Sequence, residues 1–102
     1  MIAQFTLLPV GTKSDSLSTI LALALKPVIE SNLNYKITPM ATIVEGEWEE
    51  IMSLIDRCRK ILSKECDRVS LSISIDDRKR AKNPMNAKIQ SLEKKMGKKL
   101  NK

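Results

Sequence analysis

The sequence predicts an α+β fold in the order β-α-β-β-α-β, with one more helix at its C-terminal end. Three observations predict it. Residues 2–9 and 68–77 alternate apolar and polar side chains as half-buried strands do. Two stretches between them, one opening near Ser16 and one at Gly46, repeat apolar residues at helical spacing. The interval 35–45, YKITPMATIVE, is rich in β-branched residues and broken by Pro39, which fits two short strands joined near Pro39-Met40 or one bent ribbon. This order is the split βαβ pattern of a ferredoxin-like sandwich, with both helices packed on one face of an antiparallel four-stranded sheet. A chain of 102 residues builds one core and has too little surface to bury for two. Residues 1–78 are expected to form the ferredoxin-like core, and residues 79–102 a basic C-terminal helix and tail of the same single domain.

In the first strand Ala3, Phe5 and Leu7 point one way and Gln4 and Thr6 the other; Pro9 and Gly11 are expected to end it. Ser14, Asp15 and Ser16 are N-cap candidates for the first helix, whose buried stripe is Leu17, Ile20, Leu21, Ala24 and Val28. Leu23 and Leu25 fall off that stripe, as they do when a second subunit covers the helix. Pro27 removes one helical hydrogen bond and predicts a kink or an early stop. The second helix carries Glu47, Glu49 and Glu50 in its first turn, where acids complement the helix dipole. Its buried stripe is Ile51, Leu54, Ile55, Cys58, Ile61 and Leu62. Cys58 and Cys66 read as lying on this one helix, about 12 Å apart along its axis and too far for a disulfide. Unpaired thiols suit a reducing cytoplasm, and buried small hydrophobes are their simplest role. The last strand sets Val69, Leu71, Ile73 and Ile75 against Ser70, Ser72, Ser74 and Asp76. Asn83-Pro84 opens the final helix, with Met85, Ile89, Leu92 and Met96 as its stripe, and GKKLNK is expected to fray.

Composition excludes several activities. The chain has no histidine, which removes Ser-His-Asp and Cys-His catalysis and His-bearing zinc sites. Phe5, Tyr35 and Trp48 are its only aromatic residues, too few for a base-stacking platform. The longest apolar run, Ile20 to Leu25, is far short of the roughly 20 residues a bilayer requires, and MIAQFTLLPV has no basic leader region. The net charge of +6 is unevenly spread: residues 1–77 sum to −3 and residues 78–102 to +9. The basicity therefore belongs to the last quarter, and no base-reading residues accompany it. Gly-rich phosphate loops and calcium-loop spacings are absent, no metal or cofactor is implied, and no nucleophile is set with a base. Of the carboxylate pairs Glu45/Glu47 and Asp76/Asp77, Glu47 reads more simply as a helix-start residue and Asp76-Asp77 as a polar strand end, whereas Glu45 is less easily dismissed. We expect no catalytic residues.

The fold leaves one face of the sheet without helices. That face is expected to carry Gln4, Thr6, Ser70, Ser72 and Ser74, with Lys36 and Thr38, and to be either solvated or closed by another subunit around a polar pocket. Leu8 and Val44, with the surplus apolar residues of the first helix, favour a homo-oligomer. Glu45 ends a strand next to Trp48, and a carboxylate beside an indole can hold a cation. The simpler role for Trp48 is a staple at the helix entry.

Several segments together resemble the small thiamine-binding protein family of ferredoxin-like domains. They are Phe5-Thr6 through Pro9-Val10-Gly11-Thr12; Ser16-x-Ser18; Tyr35 through Thr42 (YKITPMAT); Glu45 through Met52 (EGEWEEIM); Asp67-Arg68-Val69; and Ile75 through Arg78. The similarity spans nearly the whole chain; Pro27 and the basic tail depart from it. The resemblance implies a non-enzymatic, cytoplasmic binder of thiamine or a related aminopyrimidine, assembled as dimers that pair into tetramers, with no membrane partner. The site residues expected on this basis are Gly11, Thr12 and Ser16 near a helix N-terminus, Thr38 and Thr42 on the central strands, and Glu45 with Trp48 for the cation. The alternative is a structural or regulatory module that binds protein or nucleic acid through its basic C-terminal segment.

Overall fold

The structure is a computed structural model and describes residues 1–12, 17–78, 84–97 and 99–100. In chain order these residues form β1 (Ile2–Thr12), α1 (Leu17–Glu30), β2 (Asn34–Ile37), β3 (Thr42–Glu45), α2 (Trp48–Ser63), β4 (Cys66–Asp76) and α3 (Pro84–Met96). The strands make one antiparallel sheet in the order β2-β3-β1-β4. Each βαβ unit skips one strand, which is the ferredoxin-like topology. The interval between α1 and α2 resolves into two strands rather than a bent ribbon, with Thr38 closing the turn between them onto Ala41.

Alternation decides which face is buried. Ala3 and Phe5 of β1 and Val44 of β3 are almost wholly inaccessible, packed against Val28 of α1 and Ile51, Leu54, Ile55 and Cys58 of α2. A second cluster joins Ile20 and Ala24 of α1 to Leu62 and Cys66, and Leu7 touches both clusters. The α2 start is secured locally: Glu47, at the N-cap, donates its N–H to Glu50 Oε1 at 3.0 Å, and Glu49 and Glu50 face the positive end of the dipole.

The structure corrects several expectations. β1 does not end at Pro9 and Gly11 but stays paired with β4 as far as Thr12 opposite Cys66. Its ladder with β3 covers only Ile2 to Phe5, so beyond that point one side of β1 is an open edge, where proline is tolerated. Gly11 continues the strand with φ +71, a conformation that favours glycine. α1 runs through a buried Pro27 to Glu30 instead of stopping there. Leu25 packs on the core, whereas Leu23 stays exposed. Cys66 is not on the helix: α2 ends at Ser63, and Cys66 is the first residue of β4. Val44 lies under the helices, not on the open face, because its register partner is Ala3. Among the described side chains of α3 none is buried, and Leu92 and Met96 of its apolar stripe are exposed. Ser14, Asp15, Ser16 and Asn83 lie outside the described residues, as do Lys98, Asn101 and Lys102 of the tail expected to fray.

Candidate functional site

Opposite residues in an antiparallel ladder share a face, so the register defines the open side of the sheet row by row. One row is Asn34, Glu45, Ile2 and Asp76, and the next is Lys36, Ile43, Gln4 and Ser74. Thr6 with Ser72 and Leu8 with Ser70 continue it along β1 and β4. Ser70, Ser72 and Ser74 are all exposed on this face, away from α1 and α2, as the alternation of β4 predicts.

A concavity of about 260 Å³ opens where these two rows meet β4 and α3. Gln4, Ser74 and Asp76 give it an amide, a hydroxyl and a carboxylate, set among Ile2, Ile43 and Ile75, with Lys88 of α3 on its wall. Lys88 donates to Asp76 Oδ2, and Arg78 Nε stands 3.6 Å from the same oxygen. The Lys88 hydrogen bond, aided by the charges of Lys88 and Arg78, holds the Asp76 carboxyl below the usual carboxylate range. Asp76 is therefore ionised at neutral pH. A carboxylate, a two-way hydrogen-bonding amide and a hydroxyl beside apolar side chains can hold a flat polar heterocycle that bears positive charge.

The residues expected at the site fall into separate places. Glu45 borders the concavity one strand beyond Ile2, and its Oε1 accepts from Asn34 Nδ2 at 2.7 Å. Trp48 is the first residue of α2 and half exposed. It does not occupy the staple position, because the residue before the N-cap is Gly46. Thr38 is not on a central strand but in the β2–β3 turn, where its hydroxyl donates to the Ala41 carbonyl at 2.8 Å and accepts from the Ala41 N–H at 3.0 Å. Thr42 is buried under the helices opposite Phe5. Thr38 and Thr42 share a second concavity of about 140 Å³, bounded by Leu21 and Leu25 of α1 and by Met40. Gly11 and Thr12 stand at the far end of β1, about 30 Å from the Ile2 end at strand rise. Ser16 lies outside the described residues. Within one protomer, then, Gly11 and Thr12 share no site with Glu45.

Sequence reasoning placed Gln4 and Ser74 on this face, put Asp76 on the serine side of the last strand but read it as a strand-end residue, and passed over Lys88. The face of Asp76 was legible, because it continues the phase of Ser70, Ser72 and Ser74. Lys88 was not, since nothing in the helical period of residues 84–96 says which part of the sheet α3 approaches. Cys58 is unsuited to nucleophilic work: burial pushes its thiol up to about 11. Among the described residues no cluster of three or more Cys, Asp or Glu side chains could hold a metal ion, and no helix is long and apolar enough to cross a membrane.

Comparison with known proteins returns one consistent picture. A family model described as thiamine-binding protein matches residues 3–93. The chain is 34% identical to the UPF0045 protein YqgV of Bacillus subtilis, over 91% of this chain and 94% of that one. It is 33% identical to a UPF0045 protein of Methanothermobacter thermautotrophicus, over 92% and 97%. Among solved structures, MJ1052 of Methanocaldococcus jannaschii superimposes with a TM-score of 0.79 at 26% identity, covering 89% of this chain and 93% of that one. A Thermotoga maritima protein, provisionally assigned to thiamine biosynthesis or salvage, shares the fold with a TM-score of 0.75 at 22% identity, covering 89% and 96%.

Proposed function

The chain belongs to the thiamine-binding protein family, and on that premise we propose that it binds thiamine or a related aminopyrimidine, without converting it, in the concavity on the open face of the sheet. The observation that carries the reading is an ionised Asp76 beside Gln4 and Ser74 in one concavity. Thiamine bears a permanent thiazolium charge and an aminopyrimidine edge that both donates and accepts. Asp76 answers the charge, the Gln4 amide and Ser74 hydroxyl answer the edge, and Ile2 and Ile43 pack against the ring faces. Glu45, at the border of the concavity, adds a second carboxylate for the cation.

At about 260 Å³ the concavity is smaller than the roughly 300–1,000 Å³ of ordinary ligand pockets, and it lies on the face opposite α1 and α2, walled on one side by Lys88 of α3. A second copy packed on that face completes the enclosure. Exposed Leu8 and Val10, on the same face, supply apolar surface for such packing. The proposed species is accordingly a cytoplasmic homo-oligomer, a dimer or a tetramer, and Gly11, Thr12 and Thr38 enter the site only where another copy brings them to it, while Thr42 stays buried under its own helices.

Calorimetric titration of thiamine into the full-length protein tests this. The reading expects saturable heat, with affinity lowered about tenfold or more in Asp76→Asn and less in Glu45→Gln, since a hydrogen bond to a charged group contributes about 1.5–3 kcal/mol. No heat at protein concentrations well above micromolar contradicts it. The second reading, an interaction module, draws on the exposed Lys94, Lys95 and Lys99 beside Leu92 and Met96. It requires binding that falls steeply with salt and vanishes when residues 79–102 are deleted.

A further inference from the structure

The concavity contains a cation of its own. Lys88 reaches over from α3 and donates to Asp76, and Arg78 stands near the same carboxylate oxygen. Lys36 lies in the row of Ile43, Gln4 and Ser74, two strands and about 10 Å from Gln4. A purely cationic ligand entering here has to take Asp76 from Lys88 and leaves the ammonium group on the wall beside it. A ligand that also carries an anionic group replaces the single Lys88–Asp76 contact with two, one for each of its charges.

We propose, resting on the reading that this concavity is the ligand site, that it takes a heteroaromatic cation bearing a phosphate monoester, with Asp76 directed to the cationic ring and Lys88 to the phosphate. Lys88 then discriminates between phosphorylated and unphosphorylated ligands. Two features of the site support this. Both partners are about 40% exposed, so the pair opens without stranding a buried charge. A lysine ammonium also suits phosphate, which accepts a point charge from many directions, better than it suits a planar group that calls for a fork.

The test is calorimetry on the full-length protein with thiamine, thiamine monophosphate and inorganic phosphate, for the wild type, Lys88→Met and Lys95→Met, an exposed α3 lysine that does not line the concavity. The wild type is expected to bind the phosphate ester at least about tenfold more tightly than thiamine. Lys88→Met should move the two ligands in opposite directions. The phosphate ester weakens about tenfold or more, while thiamine tightens up to about fivefold because the nearer of its two competitors for Asp76 is gone. Lys95→Met should change neither. Equal wild-type affinities, a parallel loss of both ligands in Lys88→Met, or the same loss of preference in Lys95→Met overturns the proposal. Failure of the underlying reading looks different: either no ligand binds, or binding survives both Gln4→Ala and Asp76→Asn. If Gln4→Ala abolishes thiamine binding while the wild type shows no preference for the phosphate ester, the site stands and only the phosphate specificity falls. Inorganic phosphate binding as tightly as the ester would also refute it, by showing an anion site with no part for the ring.

Discussion

Replacing Gly11 by alanine isolates one conformational requirement of the long β1–β4 ladder. Gly11 has φ +71, and a Cβ built there lies 2.7 Å from Asp67 Oδ2 and 3.2 Å from Asp67 Cβ. Two terms follow. Holding a non-glycine residue in the left-handed region costs about 1–2 kcal/mol. The clash adds less, because the nearest atom is the end of a side chain that can rotate away. The variant should therefore lose about 1.5–2.5 kcal/mol. For a domain of this size that corresponds to roughly 6–15 °C in Tm at fixed protein concentration. The assay is urea or thermal unfolding followed by far-UV circular dichroism, for Gly11→Ala alone and in an Asp67→Ala background. Most of the loss should survive in that background, since removing the carboxylate relieves the contact and not the dihedral. A Gly11→Ala variant as stable as the wild type would refute the reasoning, and so would a loss that disappears when Asp67 is shortened.

Other outcomes follow from the same structure. Phe5→Ala, at a side chain 1% exposed between the sheet and α2, should lose about 3–5 kcal/mol in urea unfolding; a loss below about 1 kcal/mol contradicts its place in the core. The Lys88 hydrogen bond lowers the Asp76 pKa in the folded state, so its contribution to stability is present above the ordinary carboxylate value and is lost as pH falls through the lower folded one. A carboxyl-carbon NMR titration should accordingly find Asp76 below the ordinary carboxylate value of 3.8 and shifted upward in Lys88→Met; an unmoved midpoint means that the pair does not form in solution. Burial pushes the Cys58 thiol up to about 11, so a thiol reagent at pH 8 should label Cys58 only as fast as the protein unfolds, and rapid labelling of the native state would contradict its burial.

Much of the fold could be read from periodicity. The alternation of β4 put Ser70, Ser72 and Ser74 on one face, and the spacing of Ile51, Leu54, Ile55, Cys58 and Leu62 drew the buried stripe of α2. Both signals survive folding because an apolar face with one place to go fixes its own orientation. Where reading failed, a tertiary condition decided the outcome. Pro9 and Gly11 are breakers in isolation, but β1 has an open edge past Phe5 and pairs with β4 on its other side. Pro27 stays in α1 because its ring is buried there. Val44 could not be assigned to a face until its register with Ala3 was known, since a slip of one residue reverses every side chain in a strand. The site was legible only in half. Gln4 and Ser74 follow from alternation within one strand each, whereas Lys88 reaches Asp76 from a helix whose position no local pattern encodes.

The central claim is that ligand binds on the open face of the sheet, at the rows containing Gln4 and Asp76. Amide chemical-shift mapping of the isotope-labelled full-length protein during a thiamine titration tests it most directly. The account predicts saturable shifts centred on Gln4, Ile43, Ser74 and Asp76, with Lys88 following. Shifts centred instead on Thr38, Met40 and Thr42 beside α1, with the open face unmoved, would contradict it.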